Sequence, residues 1–268
     1  MNIIKTPFYI VPHADDWQLF MQPNAYNDIQ TGKRVVFIMV TAGDAGLGEQ
    51  YWKAREKGCV NSILYCLATS GDCVVTNGVK TLLNESITYT SINNVIIYFL
   101  RLPDGNIDGS GFAANGSQSL YNLKFNNQRA LNKLDQRSGY ENWQEIANIL
   151  NAIICEECKN DDVIIHYLNP DTSININDHN DHICVGNIIQ QMPIIEKCDR
   201  FLYRGYSNNQ SLDNLSESES FWKTGMFAAY EKTVYEMAGY STIKEDPIKY
   251  VQWCSCKNDY IRINRLSE

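Results

Sequence analysis

The order of apolar runs along this 268-residue chain predicts an α/β fold, a mostly parallel sheet flanked by helices. Three observations carry that expectation. Phe8–Val11 and Arg34–Thr41 are short and nearly all apolar, the pattern of strands buried on both faces. Stretches with helical periodicity alternate with them. Two acidic clusters that contain histidine follow strands, where an open parallel sheet gathers its ligands.

Taken in order, Phe8–Val11 is read as a strand that ends at His13, and Trp17–Met21 as the opening of a helix. Arg34–Thr41 is a second strand, ending in the glycine-bearing turn 42–46. Tyr51–Ala68 carries an apolar stripe of Ala54, Val60, Ile63, Leu64 and Leu67, with Gly71 just past its end, which predicts a helix. Cys73–Val75 and Asn94–Leu100 are read as further strands, and Gly105–Ser119 as a long loop of the kind that covers a site. Trp143–Cys155 is amphipathic, and Asp162–Tyr167 is the strand that leads towards His179. A helix over Ile183–Gln191, a strand over Cys198–Tyr203 and a helix over Phe221–Ala238 complete the pattern. Nothing regular is legible after Ser241. The expectation is one Rossmann-like domain over residues 1–268.

Composition narrows the function. A net charge of -8 lacks the basic face of a nucleic-acid binder. The longest apolar runs are strand-length, far below the ~20 residues of a membrane-spanning helix. No secretory signal precedes the first strand, so the expected location is cytoplasmic. The nine cysteines are then read as reduced thiols in or near the core. Cys155, Cys158, Cys254 and Cys256 form a weaker alternative, a four-thiolate zinc site. No feature specifies an oligomeric state.

Pro12-His13-Ala14-Asp15-Asp16 and Asp178-His179-Asn180-Asp181-His182 hold three of the four histidines. Neutral imidazole and carboxylate are the ligands that hold a hydrolytic zinc while leaving a position open for water. His13 and Asp16 are spaced to share one side of a helix's first turn. Asp15 must then point elsewhere and is free to act as a base. Of His179 and His182, one can ligate while the other faces the substrate, and Asp181 can set a ring tautomer. Either cluster alone would suit a helix cap or a solvated loop; together at strand ends they point to a metal. His166, isolated in a strand, is read as a hydrogen-bonded structural residue.

The chain resembles the LmbE-like (PIG-L-like) family of zinc-dependent N-deacetylases. The family's His-Pro-Asp-Asp-Glu motif is matched by His13-Ala14-Asp15-Asp16-Trp17, and its Thr-x-Gly-(Glu/Asp)-Ala-Gly turn by residues 41–46. Arg55-Glu56, Leu102-Pro103-Asp104-Gly105 and His179-Asn180-Asp181-His182 match three later motifs in the right order, so the likeness runs from about residue 7 to 190. It implies His13, Asp16 and His182 as ligands of one Zn2+ and Asp15 as general base. His179 would stabilise the oxyanion as a cationic or hydrogen-bonding group, with Asp181 orienting it. Asp44, Arg55 and Asp104 match positions near the substrate, an N-acetylglucosamine-type sugar or glycoconjugate. Ala14 and Asn180 stand where the family has proline, and Trp17 where it has an acidic residue. Rival readings are an amidase acting on a related amide or thiol conjugate, and an inactive carbohydrate-binding relative.

Overall fold

The computed structural model describes residues 5–68, 71–135, 138–158, 162–254 and 257–265. Its first half contains β1 (Lys5–Val11), α1 (Asp16–Phe20), α2 (Asn24–Gln30), β2 (Val35–Thr41), α3 (Glu49–Cys66), β3 (Val75–Leu82), β4 (Glu85–Ile92) and β5 (Val95–Leu102). There follow α4 (Leu120–Phe125), β6 (Leu131–Asn132), β7 (Gly139–Tyr140), α5 (Trp143–Cys158), β8 (Asp162–Leu168), α6 (Asn180–Ile189), β9 (Asp199–Tyr203) and α7 (Glu217–Ala238). The chain closes with α8 (Thr242–Glu245), α9 (Pro247–Trp253) and β10 (Tyr260–Ile263).

Eight strands form one sheet in the order β10-β9-β8-β1-β2-β5-β4-β3. Its centre, β9 through β5, is parallel, whereas β10 and the β3–β4 hairpin add antiparallel edges. The chain leaves β1 towards β2 on one side and later returns to β8 on the other. That reversal opens a crevice beyond the carboxyl ends of β1 and β8, the place where such sheets bind ligands.

Alternation along β1 shows why the strands are apolar throughout. Phe8 and Ile10 pack with α5 and α6 residues such as Ile153 and Ile188. Tyr9 and Val11 face the opposite layer, with Ile63 of α3 and Phe227 of α7. Burial on both faces selects continuous hydrophobic runs. The same two layers separate the cysteines. Cys158 packs in the first and Cys254 in the second, with the sheet between them, so the proposed thiolate cluster does not form; Cys256 lies outside the described residues.

Several elements differ from the sequence reading. The expected strand Cys73–Val75 is the start of a hairpin that continues to Ile92. Its turn places Leu83 and Asn84 at φ 49° and 67°, and a leucine there hides the Asn-Gly-type signal by which such turns are read. Helix α6 starts at Asn180 rather than Ile183, which puts His182 in its first turn. After Ser241, two short helices, α8 and α9, each begin with a side-chain cap, from Ser241 and Asp246. Residues 103–119 form a loop with only a single turn of 3-10 helix at Ala113–Asn115.

Candidate metal centre and active site

His13 lies just past β1, and Asp16 opens α1. The backbone N–H of His13 donates to Asp16 Oδ2 at 2.8 Å, and the His13 Nδ1 lies 3.6 Å from the same oxygen. From the other strand of the crevice, α6 presents His182 Nε2 at 3.2 Å from Asp16 Oδ1. His13, Asp16 and His182 are all buried and offer ligand atoms within 4.8 Å of one another.

A second group, His13, Asp104, His179 and Asp181, meets the same distance criterion. Proton placement separates the two groups. His179 caps α6, its Nδ1 accepting from the Asp181 backbone N–H at 3.1 Å, so the ring proton of neutral His179 sits on Nε2. A protonated nitrogen is no ligand. His13 Nε2 lies 3.2 Å from Asp181 Oδ2 and donates to it, which leaves the Nδ1 lone pair towards Asp16. His182 Nδ1 donates to Asp178 Oδ1 at 2.9 Å, and its buried Nε2 has no hydrogen-bond partner. A buried imidazole nitrogen that faces a carboxylate and can exchange its proton for a metal is what a divalent cation fits. On this proton placement His13, Asp16 and His182 suit a divalent metal better than the group around His179 does.

The two supporting carboxylates enter through glycines. A Cβ on Gly105 would meet Asp181 Oδ1 at 2.3 Å, and one on Gly205 would meet Asp178 Oδ2 at 2.2 Å. Gly105 N–H also donates to Asp181 Oδ2 at 2.9 Å, and Asp178 Oδ1 receives the backbone N–H of His179 and Tyr206.

This arrangement governs charge. Burial by itself would lower the pKa of His182, yet Asp178 and Asp16 outweigh it and push the value up to about 10. Burial likewise opposes the charge on His13, but Asp16, Asp181 and Asp104 hold its pKa well above the ordinary imidazole value. His179 goes the other way. Burial and the neighbouring His13 lower it to about 4, which keeps its ring neutral at physiological pH.

Asp181 thus serves His13 rather than orienting His179 through a hydrogen bond; its carboxylate comes no nearer than 4.0 Å to His179 Nδ1, which is occupied by a backbone N–H. Asp104 Oδ1 instead lies 3.5 Å from His179 Nε2. Arg55, on α3, is buried and binds Asp15 Oδ1, the Gly43 carbonyl and the Tyr230 hydroxyl on α7. Asp44 does not face the cavity. Its carboxylate receives the Asp104 and Gly46 backbone N–H groups and the Asn115 amide, tying the covering loop together. Trp17 is fully buried against Phe37 and Cys59, so this departure from the family motif is a core residue. Asn180, in place of proline, uses its backbone N–H to bind the Ile107 carbonyl in the same loop.

His13, Asp15, Asp16, Arg55, Asp104 and His179 line one cavity of about 160 Å³. Sequence reasoning missed its other wall, Tyr206, Tyr240, Thr242, Glu245, Tyr250 and Trp253. It also missed Asp178, whose spacing of four residues from His182 was the available signal.

Residues 8–192 match the family model described as PIG-L, GlcNAc-PI de-N-acetylase. The chain belongs to this family. No curated protein matches it. Solved structures with the same fold include the A40926 pseudoaglycone deacetylase, at 11% identity and TM-score 0.53 over 98% of both chains. A deacetylase of the teicoplanin biosynthesis pathway is 15% identical, with TM-score 0.51, over 87% of this chain and 85% of that one. The zinc-inhibited form of teicoplanin deacetylase Orf2 is 12% identical, with TM-score 0.51, over 91% and 90%. The family match ends before the second cavity wall. No helix among the described residues is long and apolar enough to cross a membrane.

Proposed function

We propose that this protein hydrolyses the N-acetyl amide of an N-acetylglucosamine-type sugar or glycoconjugate, releasing acetate and a free amine, with one zinc ion held by His13, Asp16 and His182. Membership of the de-N-acetylase family supports the reaction class. The observation that carries the site is the buried, unpartnered His182 Nε2, aimed beside Asp16 with Asp178 fixing the opposite nitrogen. A zinc ion held there would supply Lewis-acid polarisation and would acidify water.

The protein's own groups then have separable tasks. Arg55 grips Asp15 Oδ1, which leaves Oδ2 to take a proton from the attacking water. Neutral His179 carries its proton on Nε2, at the cavity, and donates a hydrogen bond to the oxyanion that develops on the amide carbonyl. As the C–N bond breaks, Asp15 returns its proton to the nitrogen, so the amine leaves neutral and the acyl group leaves as acetic acid, which gives up its remaining proton to solvent and becomes acetate. His179 acts in this scheme as a hydrogen-bond donor and not as a cation, because burial disfavours its charged form. Residues 1–268 act as one domain in this reading, since the segment beyond 192 completes the cavity wall.

The test is acetate release from N-acetylglucosamine compounds by zinc-loaded protein, with metal content measured alongside. Release that requires both the metal and Asp15 is the expected result. A fully metal-loaded protein that releases no acetate from any N-acetylated sugar would refute the reading.

A further inference from the structure

We infer that the substrate is neutral or cationic beyond its acetamide sugar, and that Glu245 at the cavity mouth selects against phosphate and carboxylate groups. This inference rests on the deacetylase reading and concerns the rest of the same substrate. Tyr240, Thr242, Glu245, Tyr250 and Trp253 form the wall of the cavity against which the part of the molecule that follows the acetamide would lie. That wall lies outside the family-matched segment.

Its charge is one-sided. Asp15, Asp16, Asp104 and Glu245 line the cavity, and Arg55 is the single lysine or arginine among the described lining residues. Arg55 is not available to an incoming anion, because all three of its nitrogens are engaged by Asp15, Gly43 and Tyr230. Asp16 belongs to the metal, Asp15 is balanced by Arg55 and Asp104 lies beside the His13 and His179 rings, which leaves Glu245 uncompensated. Asp104 sits deep and accepts the Asn106 backbone N–H. Glu245 is exposed and has no ion pair among the described residues, which places it at the rim. The adjacent Lys244 lies over the Tyr235 ring instead of the cavity, and Lys249 is paired with Asp246.

A carboxylate with no counter-ion accepts hydrogen bonds well from sugar or polyol hydroxyls. Towards a phosphate it is repulsive, more so where the cavity walls exclude water. The walls suit a neutral ring: Tyr51 and Tyr240 meet edge to face at 4.9 Å, and Tyr250 and Trp253 at 5.1 Å, offering apolar faces with polar tips. The phosphatidylinositol aglycone in the family's description carries a phosphodiester, for which the described lining provides no free cation.

The experiment compares N-acetylglucosaminyl-inositol with the same compound phosphorylated on the inositol. Wild-type kcat/KM is expected to favour the neutral compound by on the order of tenfold at low ionic strength, with the ratio shrinking as salt is added. Glu245→Gln should reduce the ratio and Glu245→Lys should reverse it, both with unchanged metal content. Equal or better use of the phosphorylated compound, or a ratio unmoved in Glu245→Lys, overturns the inference. If metal-loaded protein releases acetate from neither compound, the deacetylase reading is judged on the wider set of N-acetylated sugars, and calorimetry on these two compounds decides this point separately. Tighter binding of the neutral one upholds charge selection, whereas equal or tighter binding of the phosphorylated one, or no binding of either, overturns it.

Discussion

His182 and His166 are both buried imidazoles, carried by the consecutive elements α6 and β8, yet their environments push them in opposite directions. His182 stands between Asp178 and Asp16, which raise its pKa to about 10 against the effect of burial. His166 is stacked between Tyr9 and Phe201, bonded through Nδ1 to the Tyr203 hydroxyl at 2.8 Å, and burial lowers it to about 3. Burial alone therefore makes a neutral structural histidine. Two flanking carboxylates convert the same burial into a hole for positive charge, filled by protons or by a metal.

The sharpest break in this comparison is ligand removal. His182→Ala or His13→Ala should abolish stoichiometric metal binding and with it activity, since a three-ligand catalytic site does not survive on two, whereas His166→Phe should retain the metal. Elemental analysis of the three purified variants decides it, and full occupancy in His182→Ala would remove the ligand assignment. Next in size, Asp15→Asn should keep the metal and lower turnover by roughly 10²–10⁴-fold, the contribution of a positioned base. If metal is lost instead, Asp15 and Asp16 have exchanged roles.

The supporting carboxylates come third. Asp178→Asn and Asp181→Asn should each weaken metal affinity by about 10–100-fold in a chelator competition, because each orients one ligand histidine. Unchanged affinity in Asp181→Asn, together with a displaced pH–rate limb, would return Asp181 to His179. The same carboxylates predict proton linkage. His182 of the metal-free protein holds its proton below about pH 10, so metal binding at neutral pH should release protons and strengthen as pH rises. Calorimetry in two buffers of different ionisation enthalpy measures that release, and its absence would mean that His182 is already neutral.

The smallest effect belongs to His166. Its folded-state pKa of about 3 lies below the unfolded value near 6.5. The folded state thus resists a proton that the unfolded state accepts, and the neutral histidine's contribution is fully present above pH 6.5. It is lost as pH falls from there towards 3, by up to about 1.4 kcal/mol per pH unit. His166→Phe should flatten the fall of Tm between pH 6.5 and 4.5 relative to wild type. Parallel curves would show that His166 titrates normally.

Much of the molecule was legible in local pattern. The central strands and the helices α3 and α5 announce themselves through their apolar patterns, because burial on one face or two imposes a repeat on adjacent residues. The β3–β4 hairpin escaped notice because its turn is made by Leu83-Asn84 and its outer strand exposes Val75 and Val79. Helix α6 was placed three residues late, since its first turn is spent on His179, Asp181 and His182 instead of an apolar stripe.

By itself, the amino-acid sequence determined the fold class and the family, because both depend on short-range order: strand and helix periods, and motifs of four to six residues in a set sequence. Only the tertiary structure decided which partner each histidine meets. Asp181 reaches His13 from 168 residues away, Arg55 is held by Tyr230 from 175 residues away, and the cavity's second wall arrives from the far end of the chain. Such contacts depend on the sheet's strand order and the packing of α3 on α7, and no local spacing encodes them. Proton placement follows from those contacts, and it separates the histidines suited to hold a metal from the one suited to donate a hydrogen bond.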